Sequence, residues 1–264
     1  KIITDFASDL PAELAEAWNI EVIPMEVFIE GEEPHLGGEL DITEFYQKLR
    51  EKKSAKTSAV GIEAFIQTFR AHLEQGEDII YVSLSSGLSG TYSAASIAAG
   101  ELSEQFPEQK IYLVDSRSGS IGEGLIAVLI AQKKAEGASI DEVFAYAEDT
   151  VAHLNSWFTV DDLFFLKRGG RLSAATALVA CGKARGRRGA MEELAKSVER
   201  LAQDPTQNVI AISHSDCLKD AIELEMMLRA KWDVKDVIIA DIGPVMGAHC
   251  GPGTLAVFFV GAEK

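Results

Sequence analysis

Three segments gather hydroxyl and glycine residues where strands should give way to helices. They are Lys56-Thr57-Ser58, Ser85-Ser86-Gly87-Leu88-Ser89-Gly90-Thr91 and Asp115-Ser116-Arg117-Ser118-Gly119-Ser120. Hydroxyls at helix starts also serve as N-caps and turn residues, so each serine alone has a structural explanation as good as a functional one. Three such junctions in one half of a chain favour a site. Helix amino termini offer unpaired N–H groups and a partial positive charge, so the ligand they suit is a small anion.

Other chemistries fit less well. Gly119 to Gly124 reads G-x-x-G-x-G, the wrong order for a dinucleotide fingerprint, and no phosphate-binding G-x-x-x-x-G-K-[ST] occurs. Ser89 lies in Gly87-Leu88-Ser89-Gly90, one residue short of a nucleophile elbow. A hydrolase triad of Ser89, His249 and Asp5 is conceivable but needs a geometry that spacing does not dictate. The segment Gly243 to Thr254 joins two apolar runs and reads as a backbone-dominated turn. His249 there is either an incidental turn residue or a donor to a carboxylate. His249-Cys250 has no further metal ligands at suitable spacing. Many neutral donors without a general base beside a nucleophile suit holding an anion better than reacting with it.

Short β-branched runs alternate with longer amphipathic stretches, the pattern of βαβ units around a largely parallel sheet. Strands are predicted at Lys1–Thr4, Glu21–Ile29, Asp78–Leu84, Lys110–Val114, Trp157–Val160, Asn208–Ser213, Val234–Ala240 and Thr254–Val260. In Gly61 to Gln75, Ile62, Phe65, Phe69 and Leu73 recur at helical spacing. Gly169-Gly170 suits a helix stop, and Pro11 a first helical turn. A boundary near residue 155 divides the chain into α/β domains of residues 1–155 and 156–264. In a parallel sheet the hydroxyl-rich junctions would meet at the carboxyl ends of the strands, where open α/β folds bind ligands.

The chain has 264 residues, 47% of them hydrophobic, and a formal net charge of −16. Such a surface repels nucleic acid and anionic membranes. No apolar run approaches the roughly 18 residues of a membrane span, and Lys1-Ile2-Ile3-Thr4-Asp5 reads as a buried strand rather than a signal peptide. Three widely spaced cysteines, Cys181, Cys217 and Cys250, suggest a reducing compartment, and so a cytoplasmic protein. Against the acidic background, Lys167, Arg168, Arg171, Lys183, Arg185, Arg187 and Arg188 form a basic segment. It is either a solvated helix face or a docking patch.

The chain resembles the DegV family of bacterial fatty-acid-binding proteins, the carrier subunits of fatty acid kinase. The resemblance is carried by Thr4-Asp5, Ser8-Asp9-Leu10-Pro11, Lys56-Thr57-Ser58 and Ser85 to Tyr92. It continues through Val114-Asp115-Ser116, Gly122-Glu123-Gly124, Leu166 to Leu172 and Gly243 to Gly253. It implies two α/β domains with a long-chain fatty acid in a tunnel between them. Thr57, Ser58, Ser89 and His249 would bind its carboxylate, supported by Asp5 and Ser116. It further implies no cofactor, no enzymatic activity of the chain alone, and a separate ATP-dependent kinase that makes an acyl phosphate for phospholipid synthesis. Arg171 and Arg185 would face that kinase. A serine-dependent lipid hydrolase or acyltransferase using Ser89 and His249 is the alternative, and a regulatory lipid sensor a third. The sequence departs from the family at Phe6, where a hydroxyl residue is usual. It departs again where Ala180 runs directly into Cys181 without the strand-rich segment that family members carry there. A segment is expected to be missing at that link.

Overall fold

The computed structural model describes residues 1–170, 186–202, 204, 206 and 208–262. Its chain is α/β. Strands β1 (Ile2–Asp5) and β2 (Ile20–Ile23) flank helix α1 (Ala12–Ala17). A three-stranded antiparallel sheet follows, made of β3 (Glu26–Ile29), β4 (His35–Leu36) and β5 (Ala55–Thr57), with α2 (Ile42–Arg50) between the last two. Helices α3 (Ile62–Leu73) and α4 (Thr91–Gln105) enclose β6 (Ile79–Ser83), and β7 (Ile111–Asp115) leads to α5 (Ile121–Ala135) and α6 (Ile140–His153). The first sheet is parallel throughout, in the order β2-β1-β6-β7.

The second sheet has the order β10-β9-β11-β8 and is mixed. It contains β8 (Leu154–Thr159), β9 (Val209–His214), β10 (Asp236–Asp241) and β11 (Leu255–Val260). Strands β9 and β10 are parallel, while β11 runs antiparallel to both β9 and β8. Helices α7 (Phe164–Arg168), α8 (Gly186–Leu201), α9 (Leu218–Arg229) and α10 (Pro244–Cys250) complete the described chain. Among the described residues no helix is long and apolar enough to cross a membrane.

Two sequence expectations are corrected. The run Glu21–Ile29 is not one strand, because Pro24 lacks an N–H for a ladder and the chain changes sheets at Pro24-Met25. Lys56-Thr57 does not lie at a carboxyl end of the parallel sheet but at the end of β5 in the antiparallel one.

Helix α5 joins the halves. Ile121, Leu125, Ile126, Ala127 and Ile130 are all fully buried, and a helix apolar on every side needs cover on every side. Ile2, Ile80 and Val82 of the first sheet and Ala211, Ala256 and Phe258 of the second share one core with it. Gly122 permits the approach, since a Cβ there would lie 2.4 Å from a Phe258 ring carbon.

The same helix buries an acid. Glu123 is fully enclosed, Thr4 Oγ1 donates to its Oε1 at 2.8 Å, and Oε2 has no partner among the described residues. Burial, then the nearby Asp5 carboxyl, push its pKa well above the ordinary 4.5. An acid with a raised folded pKa contributes stability that is complete below its unfolded value and is lost as pH rises toward the folded one. Glu123→Gln keeps the Thr4 bond and removes the ionisation. Its melting temperature should match that of the parent near pH 4.5 and exceed it by a few degrees at pH 8, as calorimetry at the two pH values would measure.

Candidate functional site

A cavity of about 190 Å³ lies between the two sheets, larger than the roughly 150 Å³ apolar cavity that accepts benzene. Leu84, Leu88, Phe158, Val245, Met246 and Phe258 give it apolar walls. At Gly119 the walls close in, because a Cβ there would lie 2.9 Å from both Leu84 Cδ1 and Met246 Cε.

Thr57, Ser58, Ser89 and His249 all line this cavity. Thr57, which ends β5, hydrogen-bonds through Oγ1 to His249 Nε2 at 2.8 Å. His249 is on the seven-residue helix α10, not in the turn expected from its glycines. Pro244 at the first helical position supplies a suitable φ, and the bend comes later, at Gly251 with φ +77°. Gly169 backs the imidazole so closely that a Cβ there would stand 2.7 Å from Nδ1.

Ser58 is engaged elsewhere, its hydroxyl donating to Glu26 Oε2 at 3.1 Å. Ser89 Oγ accepts Thr91 N–H at 3.2 Å and lies 2.9 Å from Thr91 Oγ1, so it also holds the first residue of α4. Thr91 Oγ1 in turn accepts Val60 N–H at 3.3 Å, joining the exit of β5 to that helix. The tie is a site feature the sequence reading did not single out.

Asp5 and Ser116 stand outside the lining and support it. Asp5 accepts Tyr81 O–H at 2.6 Å, Leu84 N–H at 3.1 Å and Ala7 N–H at 3.0 Å, and burial raises its pKa. Ser116 Oγ donates to Ser118 O and accepts Ser118 N–H, both at 3.1 Å, fixing the third junction. The Ser89–His249–Asp5 triad does not form: His249 Nε2 meets Thr57, Ser89 meets Thr91, and Asp5 serves the β1 and β6 ends. Among the described residues no three His, Cys, Asp or Glu side chains are arranged to hold a metal ion.

A second row of hydroxyls crosses the cavity from the first half to the second. Ser118 and Ser156 share a 3.1 Å bond, and Ser120 Oγ lies 3.0 Å from Ser213 Oγ and donates to Asp9 Oδ2 at 2.5 Å. Asp9 also accepts Gly243 N–H at 2.8 Å. Burial outweighs these bonds and lifts the Asp9 pKa from 3.8 to about 7. Nothing in the spacing around Asp9 announced this, since its partners are 111 and 234 residues away.

In the basic segment, Arg187 is already committed. Its Nε donates to Asp220 Oδ2 at 2.8 Å and its Nη1 to Gly253 O at 2.7 Å. Arg168 lies over the Phe164 and Phe165 rings at 5.8 and 5.2 Å. Arg171, Arg185 and the link from Ala180 to Cys181 lie outside the described residues.

Comparison with known proteins bears on this arrangement. The family model described as "Uncharacterised protein, DegV family" matches residues 1–181 and 178–262, two pieces that overlap over residues 178–181. The chain belongs to the DegV family. A DegV domain-containing protein of Clostridium perfringens is 38% identical over 284 aligned positions covering 100% of this chain and 98% of that one. One from Streptococcus pyogenes is 32% identical with the same coverage. Among solved structures, a DegV family protein from Thermus thermophilus described as fatty acid binding superposes with a TM-score of 0.89. It has 28% identity and covers 99% of each chain. DegV of Bacillus subtilis, described as a fatty acid binding protein, gives 0.83 at 25% identity over 98% of each chain.

The Asp9 carboxyl of this DegV protein should titrate near pH 7. Carboxyl-carbon NMR with labelled aspartate would follow it, and a midpoint near 4 for Asp9 would contradict the burial seen here.

Proposed function

We propose that this protein binds a long-chain fatty acid in the cavity between its sheets, with the carboxylate held by Thr57, Ser89 and His249 and by a reoriented Ser58. The observation that carries the reading is the Thr57–His249 bond at 2.8 Å, which sets two polar groups side by side on a cavity with apolar walls. A buried carboxylate is unfavourable unless donors satisfy it, and hydroxyl and imidazole groups supply them. The full-length likeness to fatty-acid-binding DegV structures supports the same ligand. The protein then acts as a carrier, not an enzyme on its own, and it needs no cofactor.

In this reading the carrier works in the cytoplasm and presents its acid to a separate ATP-dependent kinase, which forms an acyl phosphate for phospholipid synthesis. Arg171 and Arg185 meet that kinase. Support comes from the family resemblance and from basic residues clustered in a chain of net charge −16, since complementary charge speeds and orients association. Arg185→Ala should leave fatty acid affinity unchanged and slow acyl phosphate formation. Phosphorylation at the parent rate would remove Arg185 from the docking surface.

Organic extraction of the purified protein should release about one acyl chain per polypeptide. Ser89→Ala and His249→Ala should each weaken fatty acid binding by about 1–3 kcal/mol, the penalty for leaving a buried charge under-satisfied, without unfolding the protein. Ester hydrolysis abolished by Ser89→Ala would instead establish the hydrolase alternative.

A further inference from the structure

The helix that carries His249 belongs to the second half of the chain, yet residues of the first half hold it. Gly243, at its N-cap, donates its N–H to Asp9 Oδ1 at 2.8 Å. One residue earlier, the carbonyl of Ile242 accepts a 2.6 Å hydrogen bond from the Tyr46 hydroxyl, whose oxygen also shares a 2.9 Å bond with Ser215 Oγ. Tyr46 is on α2 and is fully buried. Its oxygen also meets the helix at mid-length: a Cβ on Gly247 would stand 2.5 Å away. The phenol therefore touches α10 just before its start and again two residues before His249.

We propose that Tyr46 is the positioning residue for His249, its hydroxyl fixing the seat of α10 on the first domain and so the reach of the imidazole to Thr57 and to a bound carboxylate. The inference rests on the carboxylate-binding reading and adds a residue to it. Two features separate this role from ordinary packing. The Tyr46 ring is already held edge-on by Phe45, with centroids 5.2 Å apart, and a phenylalanine keeps that contact. The hydroxyl alone reaches the backbone that launches α10. Burial also drives the phenol pKa well above 10, so the group remains a donor at every working pH. Removing it leaves Ile242 O without this partner and lets the helix shift. A shift of a few tenths of an ångström matters to a carboxylate, whose donors must lie within about 2.6–3.2 Å. It matters little to an uncharged acyl ester.

The test is a double-mutant cycle on delipidated protein, with stearic acid and its methyl ester as probes, read by calorimetric titration. Tyr46→Phe should weaken stearate about tenfold while leaving the methyl ester within twofold. In the His249→Ala background it should add no further loss for stearate, because the two side chains act through one another. Gly247→Ala pushes α10 away from the phenol by another route and should give the same split between the ligands, which keeps the test valid should Tyr46→Phe fold poorly. Equal losses for acid and ester, or losses that add in the His249→Ala background, would overturn the positioning role. If His249→Ala leaves stearate affinity unchanged, the carboxylate reading itself falls. If His249→Ala weakens stearate and Tyr46→Phe does not, the present inference alone falls.

Discussion

The burial of α5 on every side is the constraint from which the architecture follows. Over its first three turns, where Leu125, Ile126, Ala127 and Ile130 are fully enclosed, α5 has no solvent face, so the parallel and the mixed sheet must both close on it. Gly122 lets the Phe258 ring pack against the bare backbone, 2.4 Å from where a Cβ would stand, and the sheets then meet around the amino end of the helix. There the chain cannot continue apolar packing, because loop backbone and helix-end N–H groups need partners. Serines fill that role, and the cavity opens where they gather.

The bonds that cross this boundary are nearly all polar and nearly all made by short side chains. Thr57 meets His249, Ser118 meets Ser156, Ser120 meets Ser213, Asp9 meets Gly243, and Tyr46 meets Ile242 and Ser215. Short hydroxyl side chains lose little rotamer freedom when fixed, and each can donate or accept. That suits a wall which must be satisfied when the cavity is vacant and still offer donors to an anion.

Much of the fold was legible in the sequence because the apolar patterns are strong. The apolar run Asp78–Leu84 reads as a strand and is β6, buried at all five positions of Ile79–Ser83, and the 3–4 spacing of Ile62, Phe65, Phe69 and Leu73 reads as a helix face and is α3. Glycine-rich chemistry misled: Gly243 to Thr254 read as a turn, yet Gly247 lies within a helix and is a glycine where a Cβ would stand 2.5 Å from the Tyr46 oxygen. The hydroxyls of the site were visible as clusters, and the family resemblance named Thr57, Ser58, Ser89 and His249. Asp9 and Tyr46 were not singled out, because their partners are reached only through the tertiary fold. A tyrosine on an amphipathic helix looks like core until the carbonyl it touches is known.

The central claim is that a fatty acid lies in this cavity with its carboxylate on Thr57, Ser89 and His249. NMR of the protein loaded with palmitate labelled at the carboxyl carbon addresses it most directly. Donors that hold the ionised form depress a carboxyl pKa. The bound carboxyl signal should therefore remain that of an ionised acid below the range where free fatty acid protonates, and it should move when His249 is replaced by alanine. A signal that titrates as in water, and is indifferent to His249, would contradict the account.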